Sequence, residues 1–154
     1  MGRNFVYRVV FLDSLEGRNP SAIFKIGERL PLPTNRFYEK RDQGLEEYFE
    51  KIRQEEYPNL PSRIGNGLFV FSDIKYHQQW PKKMLGKICP YIILKLSYTG
   101  KITWFDANYN YEKDDATSFW KSAQDEPFDD PLCEGILEGE AFVEEIINPR
   151  DVIL

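Results

Sequence analysis

Two stretches in the second half of the sequence each contain a pair of β-forming segments divided by a short turn with glycine. The first pair is Tyr91–Tyr98 and Lys101–Asp106, joined at Thr99-Gly100. The second pair is Glu134–Glu138 and Ala141–Ile147, again with a glycine between them. Short glycine turns between runs of β-branched and aromatic residues favour antiparallel pairing. We therefore predict two β-hairpins and an antiparallel sheet instead of a regular βαβ order.

The remaining predicted elements alternate strands with helices. Further extended segments are predicted at Asn4–Leu12, Ala22–Ile26 and Leu68–Phe71. Helices are predicted over Asp42–Tyr57, from Ser72 to about Trp80, and over Asp115–Ala123. We interpret the acidic face of the first helix as a solvated surface. With 154 residues, the chain has the length of one domain, so we predict a single α+β domain over residues 1–154.

The inventory of reactive residues narrows the possible chemistry. The two cysteines, Cys89 and Cys133, lie far apart in sequence, which argues against a disulfide scaffold and favours a reducing, cytoplasmic location. His77 is the single histidine, so the usual zinc ligand sets are missing, and we predict no metal site. We interpret His77 as a surface residue of a helix. No apolar run approaches the length of a membrane span, and no membrane partner is predicted.

Charge is distributed unevenly along the chain. Residues 1–104 carry a net charge of +6 and residues 105–154 a net charge of −11, which gives −5 for the whole sequence. No block of lysine and arginine resembles a general nucleic-acid-binding surface, although a small anionic ligand is compatible with the basic part. The acidic part is also compatible with docking to a basic partner.

Three groups of residues are candidates for a functional site. Ser62, Arg63 and Ser72 lie around a predicted strand that leads into a helix start, where an anion or amide could bind. Glu134 opens a late strand, which would place its carboxylate rigidly. Arg8 interrupts an apolar strand and is costly to bury unless it is paired or binds an anion. The alternatives are a helix cap for Ser72, a surface ion pair for Arg63, and an outward orientation for Arg8.

Two motifs carry a resemblance to a known family. LPSRIGNGLFVFSDIKYHQQW and the pair ATSFW and EGILEGEAFVEEI occur in the same order as in small bacterial and phage proteins of unassigned function. That family itself resembles the ADP-ribosyltransferase fold. The resemblance implies an ADP-ribosyltransferase-like α+β fold with a split, mostly antiparallel β core, two to three flanking helices and a cleft for NAD.

The resemblance also implies roles for individual residues. It assigns catalysis to Glu134, Arg8 and Ser72, with Glu140 left open as an alternative to Glu134. Arg8 or Tyr7 would grip ribose or phosphates, Ser72 with Tyr76 would position the nicotinamide side, and Glu134 would bind the ribose 2′-hydroxyl. The implied NAD-binding set is Tyr7, Arg8, Ser62, Arg63, Phe69, Phe71 and Tyr76.

The function that the resemblance implies is that of an NAD-dependent ADP-ribosyltransferase or an NAD glycohydrolase. Its partners would be NAD or a similar dinucleotide and an unknown acceptor, which could be protein, RNA or DNA. The alternatives are a catalytically silent module of the same fold that binds a nucleotide or a protein, and an acidic interaction or inhibitor protein. The first-strand position lacks histidine and the second motif lacks Ser-Thr-Ser, which favours the silent module.

Overall fold

A four-stranded antiparallel sheet forms the centre of the molecule. The computed structural model describes residues 5–30, 43–64, 67–80, 90–110 and 112–152. The strands are β1 (Phe5–Phe11), β2 (Leu68–Val70), β3 (Tyr91–Asp106) and β4 (Cys133–Ile147). Their order in the sheet is β1-β3-β4-β2, and every neighbouring pair is antiparallel. Together with the helices described below, this sheet gives an α+β fold.

The two predicted hairpins are wrong, because each is one continuous strand. β3 and β4 instead pair with each other over residues 93–106 and 133–147, and Gly100 lies opposite Gly139 where the turns were predicted. A Cβ atom on Gly139 would lie only 2.0 Å from the carbonyl oxygen of Thr99, so the two backbones approach closely at this point. The glycines therefore permit close strand packing here instead of a chain reversal.

The two edge strands of the sheet meet at one point. The backbone of Tyr7 in β1 exchanges two hydrogen bonds with Phe71, immediately after β2, at 2.9 and 2.8 Å. This bridge brings the middle of β1 beside β2 although β3 and β4 separate them in the sheet order. Residues of β1, β2 and the beginning of β4 can therefore surround a common space.

The long helix and the short helix before β4 pack on one side of this core. Helix α2 (Gln43–Glu56) places Leu45 and Phe49 in an apolar cluster with aromatic residues of β3 and of helix α3 (Ala116–Lys121). The indole Nε1 of Trp120 donates to the carbonyl oxygen of Phe49 at 3.0 Å. The helical periodicity in both segments is thus confirmed.

Part of the predicted solvated face of α2 is buried. Glu46 is 1% exposed and Glu50 is also buried, whereas Glu47, Glu55 and Glu56 are exposed as predicted. The prediction was wrong for Glu46 and Glu50 because each has a distant arginine or serine partner that a helical pattern does not reveal.

The segments that flank the sheet differ from prediction in two places. Residues Pro20–Ile23 form helix α1, which Asn19 caps, so the predicted extended piece is wrong. The extended pairing occurs further on, where the amides of Gly27 and Leu30 donate to the carbonyl oxygens of Val143 and Ala141 at 2.7 and 2.8 Å. Five short 3₁₀ helices are described: Leu12–Leu15, Ile74–Tyr76, Ala107–Tyr109, Lys113–Asp115 and Pro149–Asp151.

The predicted helix from Ser72 begins as a single 3₁₀ turn, Ile74–Tyr76, with the side chain of Asp73 accepting from the Lys75 amide at 3.0 Å. His77 follows this turn and is 2% exposed, so its interpretation as a surface residue is wrong. Its Nδ1 lies 2.6 Å from the Tyr91 hydroxyl, and this partner explains how the ring can be buried. Cys89 lies outside the described residues. Across the described ranges, no helix is both long and apolar enough to cross a membrane.

Candidate functional site

A small pocket opens where β1, β2 and the beginning of β4 converge. Its empty volume is about 300 Å³, including space open to solvent, and its lining residues are Arg8, Val9, Phe69, Val70, Phe71, Trp80 and Glu134. Aromatic and aliphatic side chains thus form most of the wall, and two oppositely charged side chains supply the polar groups. A mostly apolar pocket with few polar groups is the usual composition of a small-molecule site.

Arg8 lies in the middle of β1 and faces the pocket, so the alternative of an outward orientation is wrong. Its Nη1 donates to the carbonyl oxygen of Phe69 at 2.9 Å, which fixes the side chain against β2. Within the described part of the chain, no carboxylate lies within ion-pair distance of Arg8. Burial lowers the pKa of Arg8 to about 10, so the guanidinium stays protonated at neutral pH. Arg8 therefore presents a poorly solvated positive charge that an anion or a carbonyl oxygen could bind.

Glu134 is the second residue of β4 and is 2% exposed. It lies opposite Phe105 in the register of the sheet, so the pairing of β3 and β4 holds its backbone. One carboxylate oxygen accepts a hydrogen bond from Nη1 of Arg63. A carboxylate that lies on a strand and is bound by an arginine is held in one orientation.

Arg63 is buried and joins Glu134 to helix α2. Its Nε and Nη2 donate to the two carboxylate oxygens of Glu46 at 3.0 and 3.2 Å. The guanidinium carbon lies 5.2 Å from the ring centre of Phe69 and 4.9 Å from that of Phe119. Burial alone would lower the pKa of Arg63, but the charges of Glu134 and Glu46 raise it above its ordinary value. Arg63 is therefore charged, and its surface-ion-pair interpretation is wrong.

Four of the residues predicted for the site line one pocket: Arg8, Phe69, Phe71 and Glu134. They come from three strands or strand ends that are more than 60 residues apart in sequence. Of the two glutamates left open, Glu134 lies in this pocket, whereas Glu140 is exposed and pairs with Arg29 at 3.4 Å. The geometry therefore favours Glu134 as the carboxylate of the site.

The other predicted site residues do not line this pocket. Ser62 donates to Glu50 on α2 at 2.5 Å, and the hydroxyl of Tyr76 donates to Asp129 at 2.5 Å. The ring of Tyr7 packs against Phe71, with 5.8 Å between ring centres. Ser72 is partly buried and follows the bridge residue Phe71, but it is not among the lining residues.

Sequence reasoning missed two residues that shape the site. Glu46 binds Arg63 from α2, and Trp80 lines the pocket and stacks near Phe71, with 6.3 Å between ring centres. The first motif, LPSRIGNGLFVFSDIKYHQQW, ends at Trp80, which was a signal that could have identified this residue. No local signal distinguishes Glu46 from the exposed glutamates around it. In the ranges that the structure covers, no three histidine, cysteine or acidic side chains are grouped to hold a metal ion.

Comparisons with known proteins give a family. A search among curated proteins finds no match. A family model with the description "Protein of unknown function (DUF2441)" matches residues 34–149. The match covers β2, β3, β4, α2 and α3, and it includes Arg63, Phe69 and Glu134 but not Arg8. Because the match extends over well more than half of the sequence, this chain belongs to the DUF2441 family.

Proposed function

We propose that the protein binds NAD with its nicotinamide–ribose end in the pocket, and that it acts as an ADP-ribosyltransferase or NAD glycohydrolase. The proposal includes the relation of its fold to that of ADP-ribosyltransferases, which the sequence motifs imply. The observation that carries it is that Arg8 and Glu134 line one pocket without forming an ion pair with each other. A ligand bound in this pocket could contact both side chains.

The proposed chemistry needs only groups that the pocket contains. When the bond between nicotinamide and ribose breaks, nicotinamide leaves with the bonding electron pair and positive charge develops on the ribose. Glu134, bound to the ribose 2′-hydroxyl, stabilises this charge because its carboxylate is already in place. Water or an acceptor then attacks the same carbon and loses a proton to solvent, so hydrolysis and transfer differ only in the nucleophile.

The charge and size of the pocket indicate which part of NAD each side chain would contact. Arg8 offers a guanidinium for a phosphate or ribose oxygen, and Phe69 and Phe71 offer aromatic surfaces for the nicotinamide ring. The empty volume of about 300 Å³ includes space that is open to solvent. A whole dinucleotide exceeds this volume, so the adenosine part would extend along the surface.

A second candidate is a catalytically silent module that binds a nucleotide-like ligand in the same pocket. The observation that favours it is the bond between Glu134 and Arg63, which occupies part of the carboxylate's hydrogen-bonding capacity. In this case NAD would bind without turnover.

Turnover of NAD separates the two candidates. We expect the purified protein to release nicotinamide from NAD, and mass spectrometry of added protein, RNA and DNA would identify the acceptor. Glu134→Gln should reduce the rate at least about 100-fold, because a neutral amide stabilises the developing charge poorly. Glu140→Gln is the matched control on the same strand and should retain the wild-type rate.

Two results would contradict the transferase proposal. Full activity of Glu134→Gln would remove this carboxylate from the reaction. Binding of NAD without nicotinamide release, with any of the acceptors, would favour the silent module.

A further inference from the structure

Arg63 links the pocket carboxylate to a second buried carboxylate on a different element. Nε and Nη2 of Arg63 bind both oxygens of Glu46, and Nη1 is left to bind Glu134. A planar guanidinium that is bound at two nitrogens by one carboxylate has little freedom to rotate. Glu46 on α2 therefore restricts where Nη1 points, and Nη1 binds Glu134.

The surroundings of this cluster make the interaction strong. The side chains of Glu46 and Arg63 are 1% exposed and that of Glu134 is 3% exposed. The rings of Phe69 and Phe119 lie near the guanidinium and exclude water from it. Charges interact much more strongly in such an environment than in water. When both carboxylates are ionised, the three side chains carry two negative charges and one positive charge, and Arg63 hydrogen-bonds to both carboxylates.

We infer that Arg63 and Glu46 are positioning residues, which fix Glu134 in its ionised form at the wall of the pocket. The consequence for catalysis rests on the function proposed above, whereas the effect on Glu134 itself does not. The charged and titratable groups around Glu134 are Arg63 from the preceding loop, Glu46 from α2, Arg8 across the pocket from β1, and the neighbouring thiol of Cys133. Arg63 stabilises the carboxylate, and Glu46 opposes its ionisation.

The titration of Glu134 tests this inference directly. Glutamate labelled with ¹³C at the side-chain carboxyl gives a carbon resonance for each glutamate, and its loss in Glu134→Gln assigns Glu134. In Glu46→Gln the titration midpoint of Glu134 should move to lower pH, because a like charge is removed and Arg63 remains. In the double variant Glu46→Gln/Arg63→Met the midpoint should move to higher pH by about one unit or more, because the guanidinium is lost.

Glu50→Gln is the matched control. Glu50 lies one turn along α2 on the same buried face, where it binds Arg53 at 2.7 Å and accepts from the Ser62 hydroxyl at 2.5 Å, but no ion pair or hydrogen bond joins it to Arg63 or Glu134. We expect this variant to leave the midpoint of Glu134 unchanged even if it lowers stability. Opposite shifts in the two test variants with no shift in the control cannot arise from a general loss of stability.

The outcomes distinguish this inference from the proposed function. A midpoint that is the same in wild type and Glu46→Gln would overturn the positioning role, and this result does not depend on whether the double variant folds. If NAD is turned over, the acidic limb of the pH–rate profile should follow the midpoint in each variant. Shifted midpoints with no turnover in wild type would leave the positioning role intact and remove the proposed reaction.

Discussion

Three buried polar residues, His77, Glu46 and Glu134, have partners that compensate for the loss of water. His77 lies against the hydroxyl of Tyr91, and Glu46 and Glu134 share Arg63. The sequence allowed Arg63 and Glu134 to be proposed as site residues, because one follows a proline turn and the other opens a strand. Their connection to each other was not predictable, since 71 residues separate them and the partner depends on how β4 and the loop meet.

His77 should make stability depend on pH in the mildly acidic range. Burial lowers the pKa of His77 from its usual 6.5, so the unfolded chain takes up a proton at a higher pH than the folded one. The free energy of unfolding should therefore decrease as the pH falls through 6.5 towards the folded-state pKa. Urea unfolding of wild type and His77→Gln at pH 7 and pH 5.5 measures this effect.

In His77→Gln the loss of stability on acidification should be smaller than in wild type. Tyr91→Phe is the control, because it removes the hydroxyl partner but keeps the titrating ring. An identical pH dependence in His77→Gln and wild type would show that His77 does not contribute.

At the level of secondary structure, patterns within the sequence predicted which segments form strands and helices better than how they pair. The apolar periodicity of α2 and the β-forming runs of β1 and β3 were sufficient to locate them. The prediction of a turn at Thr99-Gly100 was wrong because a glycine after threonine has the local signature of a hairpin. The residue that faces Gly100 is Gly139 on the partner strand, and a local pattern does not include a residue so distant in sequence. The facing glycines instead allow two long strands to pass close together.

Gly100 should tolerate substitution much less well than a glycine in a surface turn. Its φ of +99° is unfavourable for other residues, and a Cβ atom there would lie 2.3 Å from the carbonyl oxygen of Glu138. Gly17 has a similar φ of +80° but no atom within 4 Å of the added Cβ. Gly17→Ala should therefore cost only the backbone strain of about 1–2 kcal/mol.

Gly100→Ala should lower the free energy of unfolding by this backbone strain and by a further ~1–3 kcal/mol for the steric clash. Urea unfolding of both variants gives the comparison. Equal free energies of unfolding for Gly100→Ala and Gly17→Ala would contradict the close approach of β3 and β4.

For the whole molecule, the sheet order is what creates the candidate site. β1 and β2 are at opposite edges, yet the Tyr7–Phe71 bridge brings them together and places Arg8 and Glu134 around one pocket. Arg8 was predictable as a site residue because a charged residue within an apolar strand is unusual. Two neighbours complete the site through long-range packing: Trp80, which the motif alone could have indicated, and Glu46, which no local pattern indicates.

The binding of NAD, measured by calorimetry at constant salt, tests the central claim that Arg8 and Glu134 are two sides of one ligand site. We expect NAD to bind the wild type, and Arg8→Gln and Glu134→Gln each to weaken binding about tenfold, as expected for the loss of a hydrogen bond to a charged group. Glu140→Gln should bind as the wild type does. Absence of binding to the wild type, or equal affinity in all four proteins, would contradict the account.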